Sequence, residues 1–264
     1  MKKKILSILF ISIIFFFSTA MKPVDYKNYV RFNDSLLVSK YELTNEEYNV
    51  FLNELKQSNQ TEKINKCTPD SSLWATMSNY NYGKPYMTHY HFHPSYNKYP
   101  VVNISKEAID LYCSWLTEKY NTNVKRKYKK VKVRLPSEKE WKMFSSPLPG
   151  HNLPWFGTFP YIFDSKKKES VCFLANLKTK DYATGDYNYV WDGGLISVPV
   201  GKYPANRIGL YDIIGNVAEY TNERKIKGGS WANTLEESTI EKVQEFEIPD
   251  PRVGFRLVIE IIEE

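Results

Sequence analysis

A mixed helix and sheet domain with an unusual share of irregular chain is the class this sequence predicts, on three observations. Three capping signals each open an apolar stripe with helical spacing. Short alternating runs bounded by turn residues read as half-buried strands. From Ser145 to Tyr203 there is no periodicity at all, in a segment rich in Pro, Gly, Tyr and Trp, and loops that long inside a compact domain usually serve a function or order around a ligand.

The elements follow in chain order. Met1 and three lysines precede an apolar run, Ile5 to Phe17, and then Ser18-Thr19-Ala20. A charged head, a short apolar core and small residues predict a signal peptide over residues 1–20, cut after Ala20, and a mature domain over 21–264. The run falls short of the roughly 20 residues a spanning helix needs, so no stable membrane span is expected after cleavage. Asp34 to Tyr41 alternates loosely and reads as a strand. Thr44 and Glu47 then form a T-x-x-E capping box, with Tyr48, Phe51, Leu52 and Leu55 on one helical face.

Gln57 to Asn97 is polar and tyrosine-rich and reads as irregular. It holds His89, His91 and His93, an H-x-H-x-H pattern that on a strand would set three imidazoles on one face for zinc or copper. The loop character of the segment argues against such a site. Tyr99 to Ile104 reads as a short strand, and Ser105 caps a second helix with Ile109, Tyr112, Cys113 and Leu116 inside. Val131, Val133 and Leu135 alternate with Lys132 and Arg134 as a strand, and Ser137 with Glu140 repeats the capping box before Trp141 and Phe144. Ile226 to Trp231 and Val253 to Ile259 alternate and are expected as adjacent strands.

The 264 residues carry a formal charge of +6, and removal of the three leader lysines leaves 33 basic against 30 acidic residues, or +3. That balance predicts no nucleic-acid partner. The dense basic run Lys125 to Arg134 reads as the solvated face of a strand or loop. Cys67, Cys113 and Cys172 are odd in number and lack metal-ligand spacing, so no disulfide framework follows. One domain with one sizeable core is expected.

The most unusual stretch is Gly209 to Trp231, G-L-Y-D-I-I-G-N-V-A-E-Y-T followed after a short turn by K-G-G-S-W. Asp212 and Glu219 sit among apolar residues, and a buried carboxylate needs a cation or several donors. Glycines around them allow backbone carbonyls to turn toward a common centre, as in a hard-cation site. This stretch, with V-G-F-R-L from Val253, K-Y-E-L-T-N-E-E-Y from Lys40, Y-P-V-V-N-I-S from Tyr99, D-L-Y-C-S-W-L from Asp110 and R-L-P-S-E-K-E-W from Arg134, resembles the formylglycine-generating enzyme (sulfatase-modifying factor) family. Among its divergent members, those related to gliding-motility lipoproteins are the most similar in kind.

The resemblance implies an α+β fold of C-type-lectin-like architecture, with two helices packed on short twisted sheets. It also implies two calcium sites. One maps onto Asn176, the Leu177 carbonyl, Asp192 and the Gly194 carbonyl; the other onto Asp212, the carbonyls of Gly215 and Val217, and Glu219. Oxidising relatives hold Cu(I) on two cysteine thiolates to convert a substrate cysteine to formylglycine. The matching positions here are Asn233 and Ser238, which are hard neutral donors, so copper is not expected and no catalytic residue is assigned. Relatives pair the cysteine of Y-C-x-W with one just after G-F-R; Leu257 stands there, so Cys113 is expected as a small buried residue. Ala218 replaces an aromatic of the family's peptide groove.

Three functional classes remain open on the sequence. The first is a non-catalytic, calcium-stabilised exported domain, periplasmic or secreted, that serves as a binding or structural part of the cell envelope with a protein or peptide partner there. The second is an enzyme of other chemistry, as in iron-dependent relatives that draw histidines from an added helical domain. The third is a formylglycine generator using Cys67 or Cys172.

Overall fold

The computed structural model describes residues 25–77, 83–146, 150–163, 171–180, 184–188 and 190–264. The expected signal peptide, residues 1–20, lies outside them. The chain enters on an antiparallel hairpin, β1 (Tyr29–Asn33) and β2 (Leu36–Ser39), followed by α1 (Asn45–Gln57), α2 (Thr61–Cys67) and α3 (Gly83–His89). Then come α4 (Lys106–Thr122), β3 (Lys130–Arg134) and α5 (Glu138–Ser145). Two small hairpins follow, β4 (Tyr161–Phe163) with β5 (Val171–Phe173), and β6 (Thr179–Lys180) with β7 (Tyr187–Asn188). The chain closes on β8 (Ala218–Tyr220), β9 (Ile226–Lys227), β10 (Val253–Gly254) and β11 (Val258–Glu263).

The main sheet has the order β1-β2-β11-β3, all antiparallel. Its central strands are covered on both faces, which is why Leu36, Leu37 and Val38 form a continuous apolar run rather than an alternating one. Leu37, Val131, Val133, Ile259 and Ile261 face α1 and α4, packing with Phe51, Leu52, Tyr112 and Leu116. Leu36, Val38 and Val258 face the other way, onto Trp141 and Phe144 of α5 and onto Leu177, Leu210, Ile213 and Ile214. The sheet thus anchors a helical layer on one side and the irregular, glycine-rich chain on the other.

Local signals translate directly. Thr44 with Glu47 and Ser137 with Glu140 form complete reciprocal capping boxes, and Ser105 accepts from Ala108 N–H to cap α4. Cys113 is buried, as expected. The basic run spans the turn after α4 and the outer face of β3; Lys129 in the turn pairs with Glu263, and Arg134 on the strand with Glu140 and Glu260.

Three expectations are corrected. The segment 57–97 contains α2, α3 and 3-10 turns at Ser71–Met77 and Pro94–Tyr96, because short helices that bury a single side chain such as Cys67 leave no stripe to read. Tyr99 to Ile104 is not a strand: it makes only a bridge, Thr44 to Pro100, and bends at Asn103, where φ is 59°, since its neighbours are loop and helix rather than a sheet edge. Ile226–Lys227 and Val253–Gly254 are not adjacent: β8 lies between them in a sheet of order β10-β8-β9, and the chain from Val258 belongs to the main sheet.

Candidate functional site

The glycine-rich loop lies against the second face of the main sheet, and its backbone explains its composition. Asp212, Gly215 and Asn216 all adopt positive φ, at 53°, 80° and 57°. A Cβ on Gly215 would collide with the Asn176 carbonyl, so only glycine allows the loop to close on that strand of chain. Asn216 N–H donates to that same carbonyl at 2.9 Å. The Asn216 side chain accepts from Val198 N–H at 2.8 Å and from Asn176 Nδ2 at 3.2 Å, and donates to Glu42 Oε2 at 2.6 Å. The two expected ligand sets, distant in sequence, therefore abut across Asn176 and Asn216.

In the first set, Asp192 accepts from Leu177 N–H at 2.6 Å and from Gly194 N–H at 3.0 Å. Burial nevertheless raises its carboxyl to about 6, outweighing the two donors. Asn176 turns its amide nitrogen to the Ile196 carbonyl, which leaves Oδ1 buried and without a partner. The Leu177 carbonyl accepts from Thr179 Oγ1, and Asn176 Oδ1 lies against Gly194, where a Cβ would crowd it. An orphaned amide oxygen, a carboxylate and two carbonyl-bearing residues gathered in one place fit a hard cation.

The second set is built around a side chain that sequence reading treated only as a landmark. Arg256 is fully buried and donates from Nη2 to Glu219 Oε1 at 2.6 Å and from Nε at 3.0 Å, while Trp141 Nε1 donates to Glu219 Oε2 at 2.8 Å. The remaining guanidinium hydrogens go to the carbonyls of Ser39, Lys40 and Tyr211. Both Glu219 oxygens are thus engaged, and its counter-charge is an arginine. Asp212 accepts from Gly201 N–H at 2.5 Å through Oδ2, but its buried Oδ1 has no partner, and burial raises its carboxyl to about 6. Gly215 donates its N–H to the Gly228 carbonyl, and Val217 donates its own to Glu42 Oε1 at 3.1 Å.

Glu42 is the residue that sequence reasoning missed. Burial, and then the Asp212 and Glu219 carboxylates, hold its carboxyl well above the ordinary range. Three buried carboxyl groups thus lie around one guanidinium that bonds only Glu219 among them, burial and their neighbours disfavour charge on Glu42 and Asp212, and Asp212 keeps one open oxygen. The signal available in the sequence was an acid inside Leu36 to Leu43, a stretch otherwise destined for the core.

At the copper positions, Asn233 Oδ1 accepts from Ser230 N–H at 3.0 Å and from Ser230 Oγ at 2.8 Å, and Ser238 Oγ donates to the Thr234 carbonyl at 2.7 Å. Both side chains serve as turn staples. Ser238 is fully buried against Gly229, whose Cβ-free face it fills. Cys67 and Cys113 are buried thiols, pushed up by burial to about 11 and about 12, and Cys172 is exposed on β5. Among the described residues, no three His, Cys, Asp or Glu side chains are grouped to hold a metal. Of the three histidines, His91 is buried while His89 and His93 are exposed, so they do not share a face. Ala218 is buried in β8.

Comparison with known proteins agrees with this architecture. Over 152 residues the chain is 26% identical to the inactive C-alpha-formylglycine-generating enzyme 2 of Bos taurus, and over 150 residues 29% identical to that of Mus musculus. Each match covers 53% of this chain and only 41% and 40% of the relatives' length. The structure of PvdO from Pseudomonas aeruginosa is similar with a TM-score of 0.56 at 19% identity, covering 85% of this chain and 80% of that one. Treponema denticola variable protein 1 is similar at 0.52 and 18%, covering 85% and 84%, and CarF at 0.53 and 18%, covering 86% of each. At these identities the structures speak for the fold alone, which is α+β and C-type-lectin-like in a single domain. The model of the sulfatase-modifying factor enzyme 1-like domain matches residues 20–261, nearly the whole chain, and the chain belongs to that family.

Proposed function

We propose that this protein is a non-catalytic member of its family: an exported, calcium-stabilised domain that acts as a binding or structural component of the cell envelope, with a protein or peptide partner there. The observation that carries the reading is the pair Asn233 and Ser238. An amide and a hydroxyl, each already hydrogen-bonded within its own turn, have little affinity for Cu(I), which soft thiolates hold. The two mammalian relatives, both named as inactive enzymes, lend support. Export rests on the charged and apolar leader.

Calcium fits the first ligand set best, where the Asn176 amide oxygen is buried without a donor and Asp192 supplies charge. At the second set the ion would use the open Asp212 oxygen, while Glu219 keeps Arg256. Bound there, calcium would neutralise buried carboxylates and tie the loops together. The competing reading, oxidation of cysteine to formylglycine, would have to recruit Cys67 or Cys172. Cys67 is buried with its thiol raised to about 11, the opposite of a ready thiolate.

The test is incubation of the purified protein with copper, reductant and a C-x-P-x-R peptide, read by mass spectrometry for the aldehyde. No product is expected. Turnover lost in Cys67→Ser or Cys172→Ser would establish the competing reading instead.

A further inference from the structure

The histidine triplet resolves into two different roles. His91 points inward, within 3.4 Å of Asn103 Nδ2, and is fully enclosed. His89, the last residue of α3, and His93, in extended backbone just beyond it, are both exposed, and the chain between them makes a single turn closed by His93 N–H donating to the His89 carbonyl at 2.9 Å. It is this turn, not a shared helix face, that brings the two imidazoles side by side. The ring centroids are 5.4 Å apart with the planes at 75°. With zinc–nitrogen bonds of about 2 Å, two imidazoles meeting at one tetrahedral ion place their centroids roughly 5 Å apart.

We propose that His89 and His93 form a surface site for a borderline divalent ion such as zinc or copper(II), completed by water and separate from the oxygen-rich loops. Imidazole suits these ions, whereas calcium takes oxygen ligands and would not compete. Each ring enters neutral and supplies one lone pair; the ion gives up only bound water. In the metal-free molecule His93 Nδ1 accepts from Ser95 N–H at 3.2 Å and caps the turn Pro94–Tyr96. Ligation gives up that long bond, whether His93 uses Nδ1 directly or Nε2 after the ring proton shifts. The Ser95 amide therefore reports on the site.

The experiment titrates untagged protein, stripped of metal, with zinc chloride while calorimetry and amide NMR are recorded. One zinc ion per chain is expected, with a shift of the Ser95 amide and no displacement by millimolar calcium. His89→Asn and His93→Asn should each weaken binding at least tenfold while circular dichroism is unchanged. Binding unaffected by either substitution, loss in only one of them, a Ser95 amide that stays put, or no zinc uptake would each overturn the proposal.

Discussion

Arg256 Nη2 and Glu219 Oε1 meet at 2.6 Å with neither side chain exposed to solvent, so that the V-G-F-R-L strand entry and the G-N-V-A-E-Y loop are joined by a fully buried ion pair. Removing one partner would strand a charge in the core. Arg256→Met is expected to destabilise the fold by about 3–5 kcal/mol, and Arg256→Met with Glu219→Leu by clearly less than the two single changes together. Urea unfolding of the four proteins measures this; additive losses would show that the pair is not coupled.

How much of this was legible in sequence depends on distance along the chain. The capping boxes at Thr44 and Ser137 need four consecutive residues, and the structure reproduces both. The family motifs located the loop from Gly209 to Trp231. What they did not disclose is that Arg256 faces Glu219 and that Glu42 turns inward to Asn216 and Val217, because both pairings are set by the sheet order rather than by spacing. The same holds for β8, which separates two segments that look like partners on pattern alone.

Calcium is expected to raise the melting temperature, by the equivalent of about 2.7 kcal/mol at 100 times the dissociation constant. Asp192→Asn should remove the response of the first ligand set, and Asp212→Asn that of the second. Calorimetric scans with calcium and with chelator read the effect. A wild-type melting temperature unmoved by chelator would rule out calcium as a stabilising ion.

Lys227 is buried, its ammonium without a hydrogen-bond partner, 5.7 Å from the centre of the Trp141 ring and 3.8 Å from Glu138 Oε1. Burial, with Lys142 nearby, lowers its value to about 8, against about 10.4 in an unfolded chain. Between these values the unfolded chain holds more protons, so stability gains from this group as pH rises from about 8 to about 10.4. Lys227→Met should therefore be more stable than wild type at pH 7, by about 1–3 kcal/mol, and the difference should shrink through that alkaline window. Denaturant midpoints at pH 7, 8, 9 and 10 provide the comparison; a constant difference would mean that Lys227 stays charged throughout.

Reinstating the missing thiolates tests whether the scaffold still remembers copper. Asn233 and Ser238 belong to one stapled turn, in which Thr234 N–H donates to Glu237 Oε2 and Ser238 N–H to the Leu235 carbonyl. Two main-chain bonds of that turn, Asn233 N–H to the Ser230 carbonyl and Ser238 N–H to the Leu235 carbonyl, do not depend on either side chain and are expected to hold it in the variant. Asn233→Cys with Ser238→Cys would lose the Asn233 staple to Ser230 and the Ser238 bond to Thr234, each worth about 0.5–1.5 kcal/mol, and sulfur at 238 would press on Gly229. The double variant is expected to fold with reduced stability and to take up one Cu(I), measured by competition with a colorimetric Cu(I) chelator, while each single variant and the wild type do not. Cu(I) uptake by wild type equal to that of the double variant would mean that this chain has soft ligands elsewhere, and the case against copper chemistry at Asn233 and Ser238 would fall with it.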